Sequence, residues 1–209
     1  MKMSQNQMFC YQCEQTAKGT GCTIAGVCGK TPEVANLQDL LVYKLRELGQ
    51  LAILANNAGM RDEKIDVFTS EALFATLTNV NFDPKDIVAY IKKAEQFQLQ
   101  IQEKLHNKNP YLKLEATIEG MVAQGKQHGI NAEPAMDADL HSLQWLLTFG
   151  LKGVAAYAYH AYLLGKKDTR VFDFIYEGLA APLNKALDTN AFVGLVFKCG
   201  EINIRAMEL

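Results

Sequence analysis

Apolar positions along most of this chain recur at intervals of three and four residues, which is the spacing of one face of an α-helix. The first such run starts behind Thr31 and Pro32, two residues that suit the N-cap and the first turn of a helix. Leucines follow at positions 37, 40, 41, 45 and 48, and the sequence Asn-Asn-Ala-Gly at residues 56–59 provides a stop signal. The pattern predicts a long first helix between these two signals.

Six more segments show helical spacing or helix-start signals. They are residues 65–78, residues 84–105 behind Asp83, residues 112–127, residues 139–164 with a break or kink near Gly150 and Gly153, residues 169–180 behind Asp168, and residues 189–209. No run alternates apolar and polar residues between hairpin turns, so we expect few strands. Helices joined by short connections are typical of bundles, and the predicted fold class is therefore all-α.

The composition excludes several classes of function. The chain has 209 residues, of which 21 are basic and 23 acidic. This balance suits a globular protein and lacks the basic excess of a nucleic-acid-binding surface. The longest uncharged stretches, residues 48–60 and 153–165, are shorter than the ~20 residues of a membrane-spanning helix. Residues 1–10 lack the apolar region of a secretory signal, so we expect a cytoplasmic protein that binds neither nucleic acid nor membrane.

Four of the five cysteines fall within one short segment near the amino terminus and form the candidate site. Cys10, Cys13, Cys22 and Cys28 are separated by two, eight and five residues. Thiols stay reduced in a cytosolic chain, so clustered cysteines indicate metal ligands before disulfides. The sequence therefore predicts a cysteine-rich, metal-binding loop over residues 1–30 and a helical domain over residues 31–209.

The spacing of these cysteines leaves three interpretations open. Structural zinc takes four thiolates, often as two Cys-x-x-Cys pairs, and the five-residue gap before Cys28 departs from that pattern. An iron–sulfur cluster tolerates more irregular spacing, and glycines at positions 19, 21, 26 and 29 let backbone N–H groups approach its sulfurs. A redox disulfide between Cys10 and Cys13 would belong at the start of a helix in a βαβ unit. The spacing favours iron–sulfur over zinc, and zinc over a disulfide.

The cysteine segment resembles the amino terminus of the hybrid-cluster proteins, also called prismane proteins or hydroxylamine reductases. The resemblance rests on the sequences MFCYQCEQTA at residues 8–17, GCT at residues 21–23 and GVCGK at residues 26–30. It continues through EALFATLTNVNF at 71–82, GLKGVAAY at 150–157 and KCGEIN at 198–203. It therefore covers nearly the whole chain from Met8 onward, and the cysteine segment is its most specific part.

The resemblance implies a 4Fe-4S cluster held by Cys10, Cys13, Cys22 and Cys28. It also implies two three-helix bundles set roughly at right angles, with a seam at Pro110 or at residues 129–134. In the family such a domain passes electrons to a hybrid iron–sulfur–oxygen cluster, which reduces hydroxylamine or nitric oxide. That catalytic cluster is held by two later α/β domains, so we expect no catalytic residue in this chain.

The same resemblance also implies what this chain binds, and it leaves two alternative functions open. The expected partners are the remaining hybrid-cluster domains or a redox protein, and an uncovered docking surface predicts self-association. We interpret the last helix, which reaches residue 209 without a stop signal, as the edge of a domain. A stand-alone ferredoxin-like electron carrier and a helical interaction module with structural zinc remain alternatives.

The sequence also leads to expectations about the burial and role of three further residues. Cys199, among Leu195 and Val196, is expected to be a buried helical thiol rather than a ligand. Lys30 and Arg46 could offset the charge of a cluster, although a solvated lysine is the default expectation.

Overall fold

The computed structural model describes residues 7–132 and 137–209, and this part of the chain is all-helical, as the sequence predicts. Its α-helices, numbered α1 to α7 in chain order, are Pro32–Asn57, Glu63–Ala75, Pro84–Leu105, Ile118–Lys126, Ala138–Leu163, Thr169–Ala180 and Thr189–Met207. Two single-turn 3-10 helices, Ala17–Gly19 and Ala181–Leu183, accompany them. None of the described helices is both long and apolar enough to cross a membrane.

Side-chain caps determine where the helices begin. Thr31, which precedes the proline that opens α1, accepts a hydrogen bond at its Oγ1 from the Val34 N–H at 3.2 Å. Asp83 caps α3 in the same way, and Pro84 follows it in the first turn. Aspartates also cap α2, α5, α6 and α7. Each cap satisfies an N–H group that has no partner inside the helix and contributes ~1 kcal/mol to stability.

Two long helices, α1 and α5, organise the packing. α1 packs against α2, α3, α4 and α6, and α5 packs against α2, α6 and α7. The leucines of α1 that define its apolar face are fully buried, and one continuous core takes side chains from all seven helices. The grouping into two three-helix bundles at right angles and the division at residue 30 stay predictions. Pro134, within one of the two expected seams, lies outside the described residues.

The predicted break at Gly150 and Gly153 is wrong. α5 continues without interruption through both glycines. A Cβ at Gly150 would lie 2.8 Å from the Sγ atom of Cys199, so the missing side chain lets α7 pack closely against α5. At Gly153 no heavy atom of the described part of the chain lies within 4 Å of the corresponding position. Gly150 therefore serves the packing of two helices and does not interrupt one.

The fourth helix is shorter than its apolar pattern predicts. Residues 112–117 are irregular, and α4 starts only at Ile118. A buried ion pair on α1 holds this segment, because Lys44 Nζ contacts Glu47 Oε2 at 2.9 Å and donates to the Leu112 carbonyl at 2.8 Å. The Leu112 N–H in turn donates to Glu47 Oε1 at 2.7 Å. Tertiary hydrogen bonds thus satisfy backbone groups that the predicted helix would have paired locally.

We expect Gly125→Ala to destabilise the fold. A Cβ at Gly125 on α4 would overlap the carbonyl oxygen of Asn36 on α1, and a backbone atom cannot rotate out of the way. Because α1 and α4 would have to separate, the free energy of unfolding measured by urea denaturation should fall by about 1–3 kcal/mol or more. Gly153→Ala is the matched control and should raise that free energy by about 0.5–1 kcal/mol, since alanine favours the helix. Equal effects of the two substitutions would contradict this account of the packing.

Candidate metal centre

The four candidate cysteines lie on an irregular segment, residues 8–30, which we call the cysteine loop. The loop folds back on itself at Cys10 and Cys22, which form an isolated antiparallel bridge. The Cys10 N–H donates to the Cys22 carbonyl at 3.1 Å, and the Cys22 N–H donates to the Cys10 carbonyl at 2.8 Å. This reciprocal pairing places the two residues directly opposite each other although they are far apart in sequence.

A tight turn after Cys13 supports this pairing. The Thr16 N–H donates to the Cys13 carbonyl at 3.3 Å, and the Thr16 hydroxyl donates to the Cys10 carbonyl at 3.1 Å. Gly21 has a φ of +135°, and a Cβ at this position would lie 2.5 Å from the ring of Phe9. Glycine is needed here because both the backbone conformation and the aromatic ring exclude a side chain.

The sulfur of Cys22 is buried and accepts hydrogen bonds. The Ala17 N–H donates to its Sγ at 3.4 Å, and Thr16 Oγ1 lies 3.9 Å from the same sulfur. Burial raises the pKa of this thiol, but hydrogen bonds from the backbone of Val27 and Ala17, together with the positive charge of Lys30, bring the pKa below its usual value. The thiolate is the form that binds metals, so these donors favour coordination.

The other end of the loop positions Cys28. The Gly26 N–H donates to the Lys30 carbonyl at 2.8 Å, and the Gly29 N–H donates to the Gly26 carbonyl at 2.9 Å. The Cys28 Sγ lies over Gly26, 3.1 Å from where a Cβ would stand. Cys10, Cys13 and Cys28 are partly exposed, and all five cysteines of the chain are free thiols.

The candidate site is recognised by the chemistry of its thiols and not by a finished arrangement of ligands around a metal ion. Within residues 7–132 and 137–209, no three His, Cys, Asp or Glu side chains are already arranged to hold a metal ion. The loop nevertheless presents four thiols on one short segment, with N–H donors directed at one of the sulfurs. Four thiolates with such hydrogen bonds are the ligands that iron–sulfur clusters use, so the donor set fits that group.

Several basic side chains, one in the cysteine loop and the others on helices, are buried. Lys30, at the end of the loop, and Arg46, on α1, are each 2% exposed, so the expectation of a solvated lysine is wrong. Lys152, in the middle of α5, is 4% exposed. Arg46 donates to the Thr148 hydroxyl at 3.4 Å, and its guanidinium lies 5.1 Å from the centre of the Trp145 ring.

A cavity of about 20 Å³, which we call the inner cavity, brings some of these charges beside a thiol. Its lining includes Cys10, Lys30, Asp39 and Lys152. Burial raises the pKa of Asp39 to about 7, although the positive charges of Lys152 and Lys30 oppose that rise. Burial and the charge of Lys30 lower the pKa of Lys152 to about 8, although Asp39 and Cys10 oppose that fall. Sequence reasoning missed Asp39 and Lys152, and the one signal for Lys152 is a lone charge in a long apolar stretch of α5.

Comparison with known proteins decides the family. A profile of the Prismane/CO dehydrogenase family matches residues 8–209. The chain belongs to this family. This prismane-family chain is 51% identical to a hydroxylamine reductase of Methanocella arvoryzae, 49% identical to one of Syntrophobacter fumaroxidans and 46% identical to one of Geobacter metallireducens. The resemblance stated from the cysteine segment is thereby confirmed.

The prismane-family chain corresponds to only part of these relatives. The three alignments cover 96–97% of this chain but 39% of each hydroxylamine reductase. The shared region contains the cysteine loop and all seven helices. The activity named for the full-length relatives is therefore not assigned directly to this chain.

Cys199 stands apart from the candidate site in this prismane-family chain. It lies on α7, where it is buried, and its sulfur faces Gly150 on α5. Burial raises the pKa of this thiol to about 11, which keeps it protonated at neutral pH. The prediction of a buried helical thiol is confirmed, and Cys10, Cys13, Cys22 and Cys28 remain the predicted ligand set.

Proposed function

We propose that this chain is the 4Fe-4S-binding, electron-transferring helical part of a protein of the hydroxylamine reductase type. Proteins of the prismane family bind iron–sulfur clusters. The observation that carries the proposal is the cysteine loop, where Cys10 and Cys22 are paired through the backbone and N–H donors point at the Cys22 sulfur. A cytoplasmic location belongs to the same proposal, since free thiols persist where the cell keeps them reduced.

Each part of the loop has a role in this proposal. The four thiolates of Cys10, Cys13, Cys22 and Cys28 would be the ligands. The Ala17 N–H would stabilise the thiolate of Cys22, and Gly21 would keep the loop closed around it. When bound, the cluster supplies a centre that takes up and releases single electrons. Hydrogen bonds to its sulfurs, burial and nearby charge are the means by which the protein sets its reduction potential.

We further propose that the outward face of α7 docks the part of a hydroxylamine reductase that lies beyond the 39% shared with this chain. Phe197 is 73% exposed and Ile204 is 56% exposed, and Val193 and Met207 are also exposed on this helix. These four residues recur at helical spacing and form the α7 stripe. Exposed apolar patches of this kind mark interaction surfaces. A separate redox protein is the alternative partner for electron transfer.

Iron and sulfide analysis of anaerobically prepared protein tests the proposed cofactor. We expect about four irons and four sulfides per chain, as a 4Fe-4S cluster requires. Cys13→Ser removes a ligand and should lose most of the iron. Cys199→Ala is the matched control, because it removes a buried thiol outside the loop, costs on the order of 1 kcal/mol of stability and should keep the iron.

Two results of that analysis would go against the assignment. Stoichiometric zinc with negligible iron in the anaerobic protein would favour the structural-zinc alternative. A loss of iron in Cys199→Ala as large as that in Cys13→Ser would make Cys199 a ligand.

We expect the isolated chain not to reduce hydroxylamine at an enzymatic rate. Reduction needs an iron site open to substrate, and four thiolates on four irons leave none. The assay is hydroxylamine-dependent oxidation of a reduced viologen by the iron-loaded 209-residue chain. Turnover at about 1 s⁻¹ or faster, the lower end of typical enzymatic rates, would place a catalytic site within these residues and contradict the proposal.

We also expect the isolated chain to self-associate through the α7 stripe. Phe197→Glu combined with Ile204→Glu places two charges in the stripe and should shift the distribution measured by sedimentation velocity towards monomer. Leu164→Glu is the control, because Leu164 is 80% exposed, more than either Phe197 or Ile204, but lies after α5 and outside the stripe. A monomeric wild-type chain at all accessible concentrations would contradict this expectation.

A further inference from the structure

Two lysines lie buried beside the cysteine loop, and neither forms an ion pair with a carboxylate of residues 7–132 or 137–209. Lys30 Nζ donates to the amide oxygen of Gln38 at 2.7 Å. Lys152 Nζ donates to the Thr76 carbonyl at 3.1 Å and to the amide oxygen of Gln12 at 3.4 Å. All of these acceptors are neutral, so none of these hydrogen bonds pairs an ammonium group with an opposite charge.

Unbalanced charges in the interior are costly. An ion that is removed from water without an opposite charge loses its hydration and gains no attraction in return. Asp39 lines the same inner cavity, but it offers one carboxylate for two ammonium groups. The buried lysine of α1 contrasts with this arrangement, because Lys44 contacts the carboxylate of Glu47 at 2.9 Å. The inner cavity therefore favours a further negative charge in its neighbourhood.

The cysteine loop is the place where that charge can arise. Cys10 lines the inner cavity together with both lysines. Gln12 connects the two kinds of group, because its Oε1 accepts from Lys152 while its Nε2 donates to the Cys10 Sγ at 3.7 Å. The indole Nε1 of Trp145, which lines the same cavity, has no hydrogen-bond partner among the described residues. Two cations and a candidate ligand therefore line the same cavity, and one side-chain N–H of Gln12 donates to the sulfur of that ligand.

We propose that Lys30 and Lys152 are the counter-charge of the anionic iron–sulfur thiolate centre and that they raise its reduction potential. This inference rests on the proposed function. When a one-electron donor is oxidised, the centre with its four thiolates gains one negative charge. A buried cation nearby stabilises that reduced form more than the oxidised form. Neither lysine is a ligand, and both act through their charge, so removing either one makes the centre harder to reduce.

Redox titration of the anaerobically prepared 209-residue chain, followed by electron paramagnetic resonance, tests the proposal. Lys30→Met and Lys152→Met remove the charge and keep a side chain of similar length. Each should lower the equilibrium constant for reduction tenfold or more, which is about 59 mV or more for a one-electron couple. Lys152→Arg keeps the charge and should keep a reduction potential close to that of the wild type.

Lys198→Met is the charge-matched control. Lys198 contacts Glu177 at 2.6 Å on the surface and is not part of the lining of the inner cavity. Its removal should leave the reduction potential unchanged. A Lys152→Met protein that contains the cluster and has the wild-type potential would overturn the proposal while the proposed function stands.

Two other results separate the remaining cases. If the methionine variants retain no iron, recovery of iron binding in Lys152→Arg would support a role for charge, and failure of Lys152→Arg as well would overturn it. Absence of iron from the wild-type chain would be a failure of the proposed function itself.

Discussion

The backbone pairing of Cys10 with Cys22 is the interaction on which the candidate metal centre depends. The cysteine loop contains one single-turn helix and no longer element, so few regular hydrogen bonds can hold it. The reciprocal bonds between the two cysteines close the loop, and the Asn36 side chain of α1 donates to the Gln7 carbonyl at 2.9 Å just before it. Met8 and Cys22 pack with Ala35 of α1 in a small apolar cluster beneath the loop. The loop therefore takes its position from α1.

The helices also place buried charged side chains next to the cysteine loop. The inner cavity receives Lys30 from the loop, Asp39 from α1 and Lys152 from α5. Packing alone does not account for two ammonium groups in the interior, because apolar side chains of similar size would fill the space without a desolvation penalty. The proposed anionic centre on the neighbouring thiols would give these charges a function and would connect the helical core to the electronic properties of the site.

The parts of this structure that could be predicted are those that one short segment encodes. Thr31 and Asp83 mark helix starts because a cap acts within its own turn. The four cysteines could be identified as candidate ligands because they also fall within one short segment. The prediction of a break at Gly150 is wrong because it rests on the low helix propensity of glycine. The contact with Cys199, which explains the glycine, exists only after α5 and α7 have packed. The inner cavity combines residues from distant segments, and no local pattern links Lys152 to the loop.

Locating the metal in the crystal would decide whether the four loop thiols hold iron. Anomalous diffraction from crystals of the anaerobically prepared chain, recorded on both sides of the iron absorption edge, would show where iron lies relative to the cysteines. We expect iron surrounded by the sulfurs of Cys10, Cys13, Cys22 and Cys28, with Lys30 and Lys152 on the inner side. An anomalous signal at the zinc edge alone, or iron bound away from the cysteine loop, would contradict it.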